Sequence, residues 1–126
     1  MRIFKNAWFS RFAAKERITD DSLRDAIKRA ESGLIDADLG GNVIKQRIAR
    51  QGQGKSGGYR TIILFWSGNR AFFTFGFAKS NQDTISHADL KILKETAREQ
   101  RTWTDAQLNQ LVVDGILEEI SDGTKS

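Results

Sequence analysis

The 126-residue chain has no cysteine, no proline, and a single histidine, tyrosine and methionine. Without cysteine there is no disulfide framework and no thiolate nucleophile or ligand, and one histidine cannot build a histidine-rich metal centre. Proline-rich linkers, low-complexity tracts and internal repeats are missing too, so nothing divides the chain. Its length suits one domain, 1–126, around one modest core. Long apolar runs are also absent. In the opening MRIFKNAWFSRF the apolar residues are interrupted by Arg2, Lys5 and Arg11, which leaves no signal-peptide core and no membrane span. These absences read as a cytoplasmic chain with no metal and no cofactor.

Acidic residues are missing from one long stretch. Between Asp38 and Asp83 there is none, while seven basic residues fall there: Lys45, Arg47, Arg50, Lys55, Arg60, Arg70 and Lys79. The other 13 basic residues face all 16 acidic ones, a net charge of −3 outside the block. A cationic block set in a slightly acidic frame is the footprint of a polyanion partner, most often nucleic acid.

Within the block, RQGQGKSGGYR (50–60) contains Gly-Lys-Ser, the end of a P-loop. The full motif GxxxxGK[ST] needs glycine at 49, where this chain has alanine, and it must open a helix whose N-terminus holds the phosphates. YRTIILFW follows instead and reads as a strand, so a P-loop is excluded.

The periodicities predict an α+β fold. A short strand, 2–5, leads into a helix over 7–17. Thr19 caps a second helix with Leu23, Ala26, Ile27 and Ala30 on one face, closed by Gly33. Three β-rich segments follow, 43–50, 59–66 and 70–78, paired as an antiparallel meander, with Gly68-Asn69 as a two-residue turn. Ser86 with Asp89, and Thr104 with Gln107, cap two later helices, and ILEEI suits a short closing strand. The helices are expected on one face of the sheet.

A two-residue turn sets Arg60 across from Phe77 and near Lys79, and the 51–58 loop brings Arg50 and Lys55 to the same rim. If Ile48 pairs with Ile62, one face collects Ile44, Ile48, Ile62, Leu64, Trp66, Phe73, Phe75 and Phe77 as a core against the early helices. The other then carries Lys45, Arg47, Tyr59, Thr61, Ile63, Phe65, Phe72 and Thr74. Basic groups interleaved with aromatic ones suit single-stranded RNA, where bases stack and cations follow phosphates.

IKQRIARQGQGKSGGYRTIILF followed by RAFFTFGFAKS resembles the RelE-like toxins of type II toxin–antitoxin modules, within the RelE/ParE/HigB group. The resemblance runs over roughly residues 1 to 120 and is strongest from 44 to 80. It implies N-terminal helices on a small antiparallel sheet with C-terminal helices. It also implies a ribosome-dependent, metal-independent endoribonuclease, which uses the substrate's own 2′-OH and is silenced by an antitoxin encoded beside it. Lys45 and Arg47 match the paired basic residues that face mRNA. Arg60, in GYR, matches the arginine on the scissile phosphate, and Lys79 matches a second cation after the last main strand. Arg50, Lys55 and Tyr59 are expected to contact RNA. RelE itself has a tyrosine shortly after that last cation, whereas 80–86 here is SNQDTIS. Tyr59, His87 and Asp83 are the alternatives, and the general base stays unassigned. A ParE-like gyrase poison of the same fold and an inactive nucleic-acid-binding relative are the competing functions.

Overall fold

A computed structural model describes residues 1–50, 54–78 and 85–121; the side chains of Arg50 and of residues 54–57 also lie outside the description. The elements run β1 (Arg2–Asn6), α1 (Ala7–Glu16), α2 (Asp20–Glu31), β2 (Ala37–Gly40), β3 (Val43–Arg50), β4 (Gly54–Trp66), β5 (Arg70–Ala78), α3 (His87–Arg101), α4 (Asp105–Val113) and β6 (Leu117–Ile120). They form one sheet in the order β2-β3-β4-β5-β1-β6. The fold class is the α+β arrangement that the periodicities predict.

Local chemistry sets the boundaries. Asn6 ends β1 and starts α1 at once: its Oδ1 accepts the Phe9 N–H at 2.7 Å, and its Nδ2 donates to the Thr74 carbonyl at 3.1 Å. Thr19 and Ser86 cap α2 and α3, and Gly33 follows α2 with φ of 86°. Thr104 and Gln107 make the full reciprocal capping box of α4.

Three sequence expectations change here. The helices occupy both faces of the sheet. Leu23, Ala26 and Ile27 of α2 and Phe9 of α1 pack with Ile44, Ile48, Ile63, Phe65 and Phe73. On the other face Ala97 and Leu108, from α3 and α4, pack with Phe4, Val43, Ile62, Leu64 and Phe72. Strands buried on both sides read as near-continuous apolar runs, as IILFW does, and that run is the sequence signal for a sheet covered on both faces. Second, β1 pairs with β5 in parallel, Phe4 beside Phe72, and β2 adds an edge strand that the sequence did not signal. Third, the registers differ. Ile48 pairs with Tyr59 rather than Ile62, an odd shift, and an odd shift turns every β4 side chain to the other face.

The β4–β5 hairpin closes through three residues, Ser67 to Asn69, with Gly68 at φ of 72° and the Asn69 N–H on the Trp66 carbonyl. Pairing therefore starts one residue off the expected frame, Trp66 with Arg70. A bulge then restores it: between Ile62 and Ile63 the register shifts, and Thr74 is the extra residue, its Oγ1 donating to the Ile62 carbonyl at 2.9 Å. Arg60 thus meets Phe77 as expected, but Phe73 faces α1 while Phe75 and Phe77 share the face of Arg60.

β1 carries two cations that fasten the C-terminal strand. Arg2 contacts Glu119 at 2.9 Å, and Lys5, 8% exposed, contacts Glu118 at 2.8 Å and Asp20 at 3.2 Å. Burial pushes the Lys5 ammonium down, but the hydrogen bonds to Glu118 and Asp20 outweigh it and leave its pKa raised. The bond from Lys5 holds Glu118 below the usual carboxylate range. A carboxylate depressed in the folded state stabilises above its unfolded pKa and loses that contribution as pH falls through the folded value. Urea midpoints are therefore expected to drop as pH goes below the carboxylate range, and Lys5→Met to flatten that drop. Glu118 is 62% exposed, so the difference between the two slopes should stay under about 1 kcal/mol.

Candidate nucleic-acid interface

The hairpin of β3 and β4 outreaches β5. Tyr59 is paired with Ala78, the last residue of β5, and the β3–β4 ladder continues beyond it to Arg50 opposite Gly54. At strand rise this is an arm of roughly 15 Å. GKSGG belongs to that strand, which removes the helix that a P-loop requires. It also corrects the expected 51–58 loop, since residues 54–58 belong to β4. Gly58 is needed where the ladder shifts: a Cβ there would stand 2.3 Å from the Ile48 carbonyl oxygen.

At the root of the arm Arg47 and Arg60 are direct cross-strand partners, and Lys45 stands two residues along β3, opposite Ile62. All three fall on the α3/α4 face of the sheet, together with Phe77 and Phe75. Like charges set directly opposite each other destabilise a sheet, so nothing in folding favours this pair. Among the described residues Arg60 makes no hydrogen bond or ion pair. Arg47 is half-restrained. Its Nε lies 3.6 Å from Asp36 Oδ1, and the other oxygen of Asp36 accepts the Arg47 backbone N–H at 2.6 Å. Arg29 donates to the Arg47 carbonyl at 2.7 Å and is itself held by Asp25. Asp36 and Arg29 thus occupy the backbone groups that β3 exposes beyond β2, and they aim Arg47 from below.

Of the other sequence candidates, Tyr59 is corrected. It points to the opposite face from Arg60, is 3% exposed, donates its hydroxyl to Glu16 at 2.8 Å and meets the edge of Phe12, so RNA cannot reach it. Phe65, expected on the face of Lys45 and Arg47, packs instead under the early helices, and Phe72 lies beneath α3 and α4. His87 is exposed in the first turn of α3. The backbone of Arg50 and Lys55 lies at the end of the arm, and their side chains fall outside the description, as do Lys79 and Asp83 entirely.

Sequence reasoning passed over a second basic element. Lys91, Lys94 and Arg98 repeat at one-turn spacing on the outer side of α3, next to Glu95, and the Lys94 stem lies over Gly40 and Gly41 where β2 turns into β3. The i, i+3, i+7 interval would have revealed it. Among the described residues no helix is long and apolar enough to cross a membrane.

A family model described as the RelE toxin of the RelE / RelB toxin–antitoxin system matches residues 1–120. No curated protein matches the chain. The matched stretch takes in every element from β1 to β6, including the strands that bring Arg47 and Arg60 together. The chain belongs to the RelE toxin family, the toxins of RelE/RelB toxin–antitoxin systems.

Proposed function

We propose that this toxin is an endoribonuclease that cuts mRNA on the ribosome, and that Arg60 and Arg47 seat the scissile phosphate. The observation that carries this reading is the like-charge pair itself: two arginines opposed across a ladder, one of them unpaired among the described residues, on the face of an acid-free block. An anion between them would turn a repulsion into a bidentate clamp.

The chemistry asks little more. The 2′ oxygen forms a bond to phosphorus, the bond to the 5′ oxygen breaks, and a proton passes, net, from the first oxygen to the second. The fold supplies orientation and positive charge for the phosphoryl oxygens as negative charge builds on them. Arg60 takes the main share, Arg47 and Lys45 hold the strand that enters, and Lys79 follows β5 directly as a further cation. Arg50 and Lys55, on the arm, guide RNA inward. Substrate and antitoxin compete for the same charges in this reading, so the antitoxin segment that silences the toxin is acidic.

Induced expression followed by mapping of mRNA 5′ ends tests the proposal. New 5′ ends confined to translated regions, and their loss when ribosomes are removed, are the expected outcome. Intact messages together with accumulating DNA breaks would replace the reading with a gyrase poison. Intact messages, unbroken DNA and surviving RNA affinity would leave a binding protein alone.

A further inference from the structure

Between α3 and the sheet lies a groove of about 470 Å³, open on one side, that the phosphate site does not use. Phe72, Phe75, Ile92 and Leu93 form its walls, with Asp89 and Gln100 also lining it, eleven residues apart on α3. Its other polar groups are occupied. Asn6 holds Phe9 and Thr74, the Thr74 hydroxyl holds Ile62, and the Thr96 hydroxyl holds Ile92. Two acceptors are left over. The Oε1 of Gln100 is buried with no hydrogen-bond partner, and the Asp89 carboxylate has none among the described residues, since only its backbone N–H is engaged, by Ser86. Of the two, only the Gln100 oxygen is buried; Asp89 is exposed, and its carboxylate stands at the groove's edge open to a donor from outside.

The groove adjoins the phosphate seat through one shared wall. Phe77 is the cross-strand neighbour of Arg60, and its ring lies 6.0 Å from that of Phe75. With cross-strand neighbours about 5 Å apart, Phe75 stands on the order of 10 Å from Arg60, the reach of one nucleotide. We propose that this groove is a nucleobase site: the base next to the phosphate held by Arg60 stacks on Phe75 and turns its donor edge to Asp89. The inference rests on the nuclease reading above. A flat aromatic wall accepts any base, and the carboxylate selects among them. Guanine offers two adjacent donors, N1–H and the N2 amino group, which a carboxylate accepts together. Adenine sets its donor beside an acceptor that the carboxylate repels.

Calorimetric titration of the full-length toxin with the four nucleoside 3′-monophosphates tests this. Guanosine monophosphate is expected to bind about tenfold more tightly than the adenosine form, the worth of a charged hydrogen bond. Asp89→Asn should reduce that ratio to about twofold, since an amide presents a donor and an acceptor instead. The capping bond from Ser86 goes to the backbone and survives the change. Ile92→Trp, at an exposed position on the rim, should erase base preference by filling the groove. Equal affinities for all four nucleotides, or a guanine preference untouched by both variants, would overturn the proposal and leave the groove to a protein partner. Cleavage on ribosomes whose base preference ignores Asp89→Asn would sink this site alone. Selective nucleotide binding without any cleavage would sink the nuclease reading alone.

Discussion

Arg60→Ala is expected to lower ribosome-dependent mRNA cleavage by about 10²–10³-fold, the usual cost of removing one donor to a developing oxyanion. Its urea midpoint should stay at the wild-type value or rise slightly. Both halves follow from the same geometry. Among the described residues no carboxylate or carbonyl engages Arg60, so truncating it leaves no orphaned partner, and it relieves the repulsion from Arg47 across the ladder. Such a residue, set opposite a second arginine, finds no stabilising partner among the described residues, and in the proposed reading the phosphate is that partner.

Arg60→Lys separates charge from shape. The ammonium restores the positive charge but not the planar fork, so it forfeits one charged hydrogen bond to the phosphate, and activity should remain at least about tenfold below wild type. Arg47→Ala should cost less than Arg60→Ala. Asp36 already neutralises part of Arg47's charge at 3.6 Å, and the cross-strand arginine remains to hold the phosphate. Quantitative primer extension on translating ribosomes, beside urea denaturation of the same preparations, checks the order. Cleavage by Arg60→Ala at the wild-type rate would place the phosphate elsewhere on the molecule.

Residue types and element order were visible because caps and periodicity are local: Thr19, Ser86 and the Thr104–Gln107 pair start helices where the spacing says they must. Arg60 opposite Phe77 came out right through two departures that cancel, a three-residue turn and the extra Thr74. Register between β3 and β4 was not readable, because the bulge near Gly58 depends on contact with the Ile48 carbonyl, and no single-strand pattern encodes it. The odd shift exchanged the two faces of β4 and, with them, the assignment of Tyr59, whose true partner Glu16 lies 43 residues away. Asp36 escaped notice for a similar reason: it sits outside the acid-free block in sequence and against Arg47 in space.

The largest loss of stability is expected from Gln46→Leu, about 3–5 kcal/mol, a large fraction of what holds a small domain together. Gln46 is 0% exposed, and its amide joins three segments at once. Its Nε2 donates to the Ala26 carbonyl at 2.9 Å and the Leu34 carbonyl at 3.0 Å, while its Oε1 accepts the Asp36 N–H at 3.0 Å. Leucine keeps the volume and strips all three bonds; the Ala26 carbonyl stays inside α2, but the Leu34 carbonyl and the Asp36 N–H of the loop lose their partners at about 1–3 kcal/mol each. Function should fall with stability, because the loop that Gln46 pins is the one that presents Asp36 to Arg47. Gln46→Glu separates the hydrogen bonds from the packing. Its carboxylate can still accept from Asp36 but cannot donate to two carbonyls, and burial of the charge raises its pKa. A group with a raised folded-state pKa binds protons that the unfolded chain does not, so the deficit of Gln46→Glu against wild type should shrink as pH falls toward the carboxylate range. Urea denaturation of both variants at two pH values decides the matter. A Gln46→Leu midpoint close to wild type would mean that the 34–36 loop keeps its place without the amide, and that Asp36 is positioned by Arg47 rather than the reverse.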